Sequence, residues 1–164
     1  MPGLSVPAGA DEILPYATGD RGFLGESEVM RRLAEADDLN LFRPFPDSET
    51  AELLAQHRVS RRVIGLQVKT VTLDAPNARP NVHVLISSFR PAPTTYFTVL
   101  AWLQAESRFD DLCLMFPSER LHEFAWEENG HMSFHFDSRW ARLNGYRRPL
   151  AELRTSIEDL LVAR

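Results

Sequence analysis

A helix, a succession of strands and a closing helix predict one α/β or α+β domain. Three observations carry this expectation. Residues 62–71, RVIGLQVKTV, are dense in Val, Ile and Leu and read as a central strand. Residues 22–38 and 149–163 carry apolar side chains at helical spacing. Between them lie short alternating or continuously apolar runs, separated by proline-rich breaks.

A chain of 164 residues is long enough for one domain with a real core. Hydrophobic residues make up 44% and charged residues 25%, the balance of a soluble globular protein. The formal charge of −5 does not advertise nucleic-acid binding, so any basic footprint has to be local. The lone Cys113 rules out an internal disulfide and fits a reducing compartment. No run approaches the roughly 18 apolar residues of a membrane span, and no signal peptide is evident. The expected location is cytoplasmic.

Taken in order, residues 1–21 are broken by Pro2, Pro7, Pro15 and several glycines, and read as a loosely ordered arm. The domain is expected over 22–164. In the first helix, 22–38, Val29, Met30 and Leu33 form an apolar stripe. Glu26 falls on that inward stripe, three and four residues before Val29 and Met30. Its place in the first turn also suits the helix dipole, which explains the residue type but not its inward direction. Residues 39–45 are a connection or short strand, ended by Pro44 and Pro46.

Residues 47–57 fit either a helix capped by Asp47 or Ser48, or a turn followed by a strand over 52–57. The short polar link 58–61, followed at once by the strand 62–71, favours the strand and an antiparallel hairpin. Within 62–71, Gln67 and Lys69 share one face, while Ile64, Leu66, Val68 and Thr70 share the other. Lys69 inside so apolar a run needs a partner, an edge position or a route to water.

Residues 81–89 read as a strand and 94–103 as a buried one. Residues 104–111 read as a polar turn, and 112–116 as a further strand. Ser118 is placed to cap a short helix over 119–125. Residues 130–137 alternate as a strand, and Pro149 opens the closing helix.

The order of a helix with an inward Glu26, an acid at Glu52 opening a strand, and then Gln67-Val68-Lys69 resembles the PD-(D/E)XK, or restriction-endonuclease-like, nuclease superfamily. The words Gly22-Phe23-Leu24-Gly25-Glu26, ELLA (52–55) and GLQVKT (65–70) are similar to the intron-associated endonuclease-like and DUF4365-like branch. FTVLAWL (97–103) and LCLMFPSERL (112–121) extend the resemblance over roughly 22–121. It implies a central mixed sheet flanked by helices and a Mg²⁺- or Mn²⁺-dependent phosphodiesterase acting on DNA, in a defence or mobile-element setting. Glu52 would bridge the metal, with the Gln67 side chain, the Val68 carbonyl and Glu26 as further ligands. Lys69 would orient the attacking water and stabilise transition-state charge. Gln67 and Lys69 are then expected to point toward the start of the first helix, where Glu26 sits. Two positions depart from the usual pattern. The second-strand aspartate is Glu52, and the triad acid is the neutral Gln67. Asp47, in a literal Pro46-Asp47 pair, is an alternative metal acid.

Arg58, Arg61 and Arg62 form a basic cluster expected beside this site. They suit phosphate contact or, equally, a solvated hairpin tip. His131 and His135 share a strand face but lack a further ligand at metal spacing, so a structural role fits better. Cys113 reads as an inert strand residue, and Trp102, Trp126 and Trp140 as core or interface groups. The nuclease reading competes with a catalytically weak binding module for nucleic acid or a protein partner, and with a structural domain whose Lys69 is incidental. A homodimer or a larger protein partner is compatible with each.

Overall fold

The structure, a computed structural model, describes residues 18–44, 51–137 and 141–163, and only the backbone of 18–20. Asp47, Trp140 and residues 1–17 of the expected arm lie outside the described residues. Helix α1 is Thr18–Ala34, beginning earlier than the predicted Gly22. Three strands follow: β1 (Leu39–Phe42), β2 (Leu53–His57) and β3 (Val63–Leu73). Next come β4 (Asn81–Leu85), β5 (Thr95–Leu103) and β6 (Arg108–Pro117). The short β7 (Trp126–Glu128), β8 (His131–His135) and β9 (Arg147–Pro149) precede helix α2 (Leu153–Val162).

Six strands form a mixed sheet in the order β1-β2-β3-β5-β6-β9, and β4-β8-β7 form a second sheet. β3 lies inside the larger sheet, antiparallel to β2 and parallel to β5. Strand alternation then divides the core into two. Ile64, Leu66 and Val68 pack with Val29 and Leu33 of α1 and with Leu153, Ile157 and Leu161 of α2. Val71, Phe97, Val99 and Phe116 turn the other way, onto Val82, Val84 and Phe134 of the second sheet. Both helices therefore cover one face and the small sheet covers the opposite one.

Some local expectations change. The polar turn shrinks, because β6 starts at Arg108 opposite Leu103. Ser118 does not cap a helix. Its hydroxyl donates to the Ala92 carbonyl and accepts the Ala92 N–H, at 3.0 and 2.9 Å, above a 3₁₀ segment, Ser118–Glu123. The predicted strand 81–89 ends at Leu85, where a 3₁₀ turn begins. Cys113 is buried among apolar neighbours, and burial pushes its thiol up to about 11, so it stays protonated.

Close backbone approach sets the seat of α1. A Cβ built on Gly25 would stand 1.9 Å from Thr70 Oγ1 and 3.3 Å from Thr70 Cβ. The Thr70 hydroxyl is buried there with no hydrogen-bond partner among the described residues. Gly65 is similarly tight, with its hypothetical Cβ 2.9 Å from Ala51 Cβ. Gly25→Ala should lift α1 off β3 and destabilise the fold by about 1–3 kcal/mol, the usual range for overpacking. Thr70→Ala removes the obstructing oxygen, so the double variant should recover most of that loss. Urea unfolding of the two single variants and the double variant measures the coupling. Additive losses would refute the steric account.

Candidate active site

The site is built where β2 stops and β3 continues. Leu53 opposite Leu66 is the last β2–β3 pair, whereas β3 stays paired with β5 as far as Leu73. Gly65 donates its N–H to the Thr94 carbonyl on the β5 side. By alternation, Leu66, Val68, Thr70 and Thr72 direct their backbone groups to the β2 side. No described strand pairs with them there beyond Leu66.

Glu52 occupies the start of this margin. Its own N–H donates to the Leu66 carbonyl at 2.9 Å. Its Oε2 accepts the Val68 N–H at 2.7 Å, so a side-chain carboxylate stands where a neighbouring strand would offer a carbonyl. Its Oε1 lies 3.6 Å from Lys69 Nζ. The two side chains are 28% and 29% exposed, which gives Lys69 both a partner and a path to water. Gln67 is half-buried on the same face as Lys69, and its side-chain amide has no hydrogen-bond partner among the described residues.

Glu26 joins them by a different route from the one expected. α1 covers the Val68–Thr70 face, so Gln67 and Lys69 do not point up into the helix. Glu26 instead forms an ion pair with Arg43, just past the end of β1, and its charge raises the proton affinity of Glu52. Burial is the main cause that holds the Glu52 carboxyl above its ordinary value, and Glu26 adds to it. The Lys69 charge and the Val68 N–H pull the other way.

Glu26, Glu52, Val68 and Lys69 are thus brought together, with Gln67 beside them. Arg58, Arg61 and Arg62 are not. They lie in the exposed β2–β3 turn at the opposite end of both strands. Six residues separate Arg62 from Val68 on an extended strand, a distance of about 20 Å at ~3.3 Å per residue. Arg58 Nε donates to Asn40 Oδ1 at 2.9 Å, and Arg61 takes a left-handed turn conformation with φ 60°. Arg43 is a site neighbour that the sequence did not single out. Its only sequence mark is a lone basic residue before Pro44, and tertiary structure alone brings it to Glu26.

Two other constellations stay structural. Asp38, just before β1, meets His57 and Ser60 at the β2–β3 turn, with His57 Nε2 3.4 Å from Asp38 Oδ2. His57 Nδ1 accepts the Ser60 backbone N–H at 3.0 Å, and Ser60 Oγ donates to the Leu161 carbonyl at 3.2 Å. The imidazole acceptor and the hydroxyl proton are both engaged, so the trio clasps the hairpin to α2. His131 Nδ1 lies 3.1 Å from the Asn129 carbonyl oxygen, and the His135 ring packs on Trp126 at 4.8 Å. No three His, Cys, Asp or Glu residues converge among the described residues. No helix among those residues is long and apolar enough to cross a membrane.

The raised proton affinity of Glu52 has a thermodynamic consequence. The folded state keeps its proton to higher pH than the unfolded chain does. Ionised Glu52 therefore costs stability as pH rises through its folded pKa, and the cost is absent below the unfolded value. Glu52→Gln, which still offers Val68 an acceptor, should melt at a higher temperature than wild type near neutrality and at the same temperature in acid. Thermal unfolding across that range checks it. A variant less stable at neutral pH would show that the Lys69 attraction outweighs burial.

No protein-family model and no curated protein matches the chain. Among solved structures it is similar to a bacterial homing endonuclease, I-Ssp6803I. The TM-score is 0.55, with 88% of this chain and 91% of that chain covered, at 16% sequence identity. The two chains share the fold, a mixed central sheet flanked by helices.

Proposed function

We propose that the chain is a divalent-metal-dependent endonuclease that hydrolyses phosphodiester bonds in DNA. The observation that supports it most is the meeting of Glu26, Glu52 and Lys69 at the β3 margin, on a fold shared with an endonuclease. The donor set fits Mg²⁺ or Mn²⁺. Two carboxylates press on one another in a half-buried place, and the unpartnered Gln67 amide lies beside them. Glu52, Glu26, the Gln67 side-chain oxygen and the Val68 carbonyl would hold the ion, a hard-oxygen set that leaves room for water. Such an ion, when bound, supplies Lewis-acid polarisation of a phosphoryl oxygen and acidifies water.

The chain's own residues do the rest. Val68 N–H fixes one Glu52 oxygen, so the carboxylate cannot rotate away. Lys69 places a cation beside that carboxylate, where it orients the attacking water and stabilises charge growing on the phosphoryl group. The neutral Gln67 leaves the centre with less negative charge than an acid there would give. That feature favours a second reading, a catalytically weak nuclease-fold module that binds nucleic acid or a protein partner.

Cleavage assays on single-stranded, duplex and branched DNA with Mg²⁺ and Mn²⁺ separate the two readings. Lys69→Ala should lower cleavage about a hundredfold or more, equivalent to roughly 3 kcal/mol. The fold should survive, because the charge removed was costly to hold near the sheet. Gln67→Glu should bind Mg²⁺ at least as well as wild type. If wild type cuts no DNA form and Gln67→Glu gains neither metal binding nor activity, the nuclease reading fails and the binding module leads.

A further inference from the structure

We infer that Arg21 and Arg43 grip the phosphate backbone of the bound DNA on either side of the carboxylates, a role that rests on the endonuclease reading above. A chain of net charge −5 can hold a polyanion only along a local cationic track. The hairpin arginines stand at the wrong end of β3 to form one at this site. Arg21 and Arg43 stand at the right end, and they bracket it.

Arg43 leaves β1 directly after Phe42, which is paired with Leu54, so it is drawn up beside the start of β2 and Glu52. Its side chain is 57% exposed and is held by Glu26 through one Nη2. Arg21 rises from α1 five residues, about 1.4 turns, before Glu26. Its Nη1 donates to Thr72 Oγ1 at 2.7 Å, three residues past Lys69 on the same strand margin. Arg43 stands at the level of Leu53 and so of Leu66, and from Leu66 to Thr72 the strand advances about 20 Å at ~3.3 Å per residue. Phosphates follow one another every ~3.4 Å of duplex axis along a strand. Thr72 shares the helix-covered face with Val68 and Thr70, so Arg21 reaches the open margin from the α1 side, whereas Lys69 projects from the opposite face. The two guanidinium groups therefore stand several nucleotide steps apart along the same margin of β3. Each arginine engages one guanidinium nitrogen to fix its aim and keeps further N–H donors for a bidentate phosphate grip.

The test is the salt dependence of binding, read by fluorescence anisotropy of a labelled duplex DNA with the full chain in EDTA. Arg21→Ala and Arg43→Ala should each weaken binding and flatten the slope of log K against log salt by about one unit, without regard to sequence. Arg43→Lys should keep the slope. Arg43→Ala should flatten it equally in a Glu26→Gln background, where a mere counter-ion would have nothing left to lose. The Arg58→Ala, Arg61→Ala, Arg62→Ala triple variant should bind with the wild-type slope. Binding with the slope unchanged in both single variants, or lost only in the triple variant, overturns this inference and leaves the endonuclease reading standing. A wild-type chain that binds neither duplex nor single-stranded DNA overturns both.

Discussion

The bond from the Val68 N–H to the Glu52 carboxylate decides where the candidate site begins. A backbone carbonyl in that position would let β2 run on and close the margin of β3. A carboxylate satisfies the same donor but ends the ladder. It also draws the acid into a partly desolvated place, which raises its proton affinity. Lys69, costly on so apolar a strand, finds its partner in the same group. One hydrogen bond thus links strand length, acid placement and lysine placement.

The second constraint is the close seat of α1. Gly25 lets the helix lie against Thr70, and the next residue is Glu26. Gly65 clears Ala51, and the next residue there is Glu52. Small residues flank both acids because the backbones that carry them come close together. The words of the sequence motif are therefore packing instructions as much as chemical ones. They place two carboxylates from different elements at one edge.

Much of this was legible in the sequence. β3 and its hairpin partner follow from the apolar run, the polar link and the alternation of Gln67 with Lys69. Both helices follow from their apolar period. The side of the sheet that α1 covers did not follow. Periodicity shows that Glu26 turns inward, but not whether it meets Lys69 across a face or around an edge. Chain proximity misled for Arg58, Arg61 and Arg62, because an extended strand carries its ends far apart. β7 and β9 have three residues each, too few to show an alternation. The start of β6 was hidden by Arg108, Asp110 and Asp111, charged residues on a strand end that faces water.

The connectivity of β3 bears on how the chain folds. β1, β2 and the first half of β3 follow one another closely and pair in sequence order, so their ladder closes small loops, although the core beneath it is completed only by α2. The other side of β3 waits for β5, a parallel partner reached only after the chain has detoured through β4. β4 in turn pairs with β8, which arrives about fifty residues later. Long-range pairings of this kind are slow to form, and unpaired strands are exposed to misassociation in the meantime. The hairpin that carries Glu52 and Lys69 can thus pair early, while the far margin of β3 waits for β5 and its helix-covered face waits for α2, the last element of the chain.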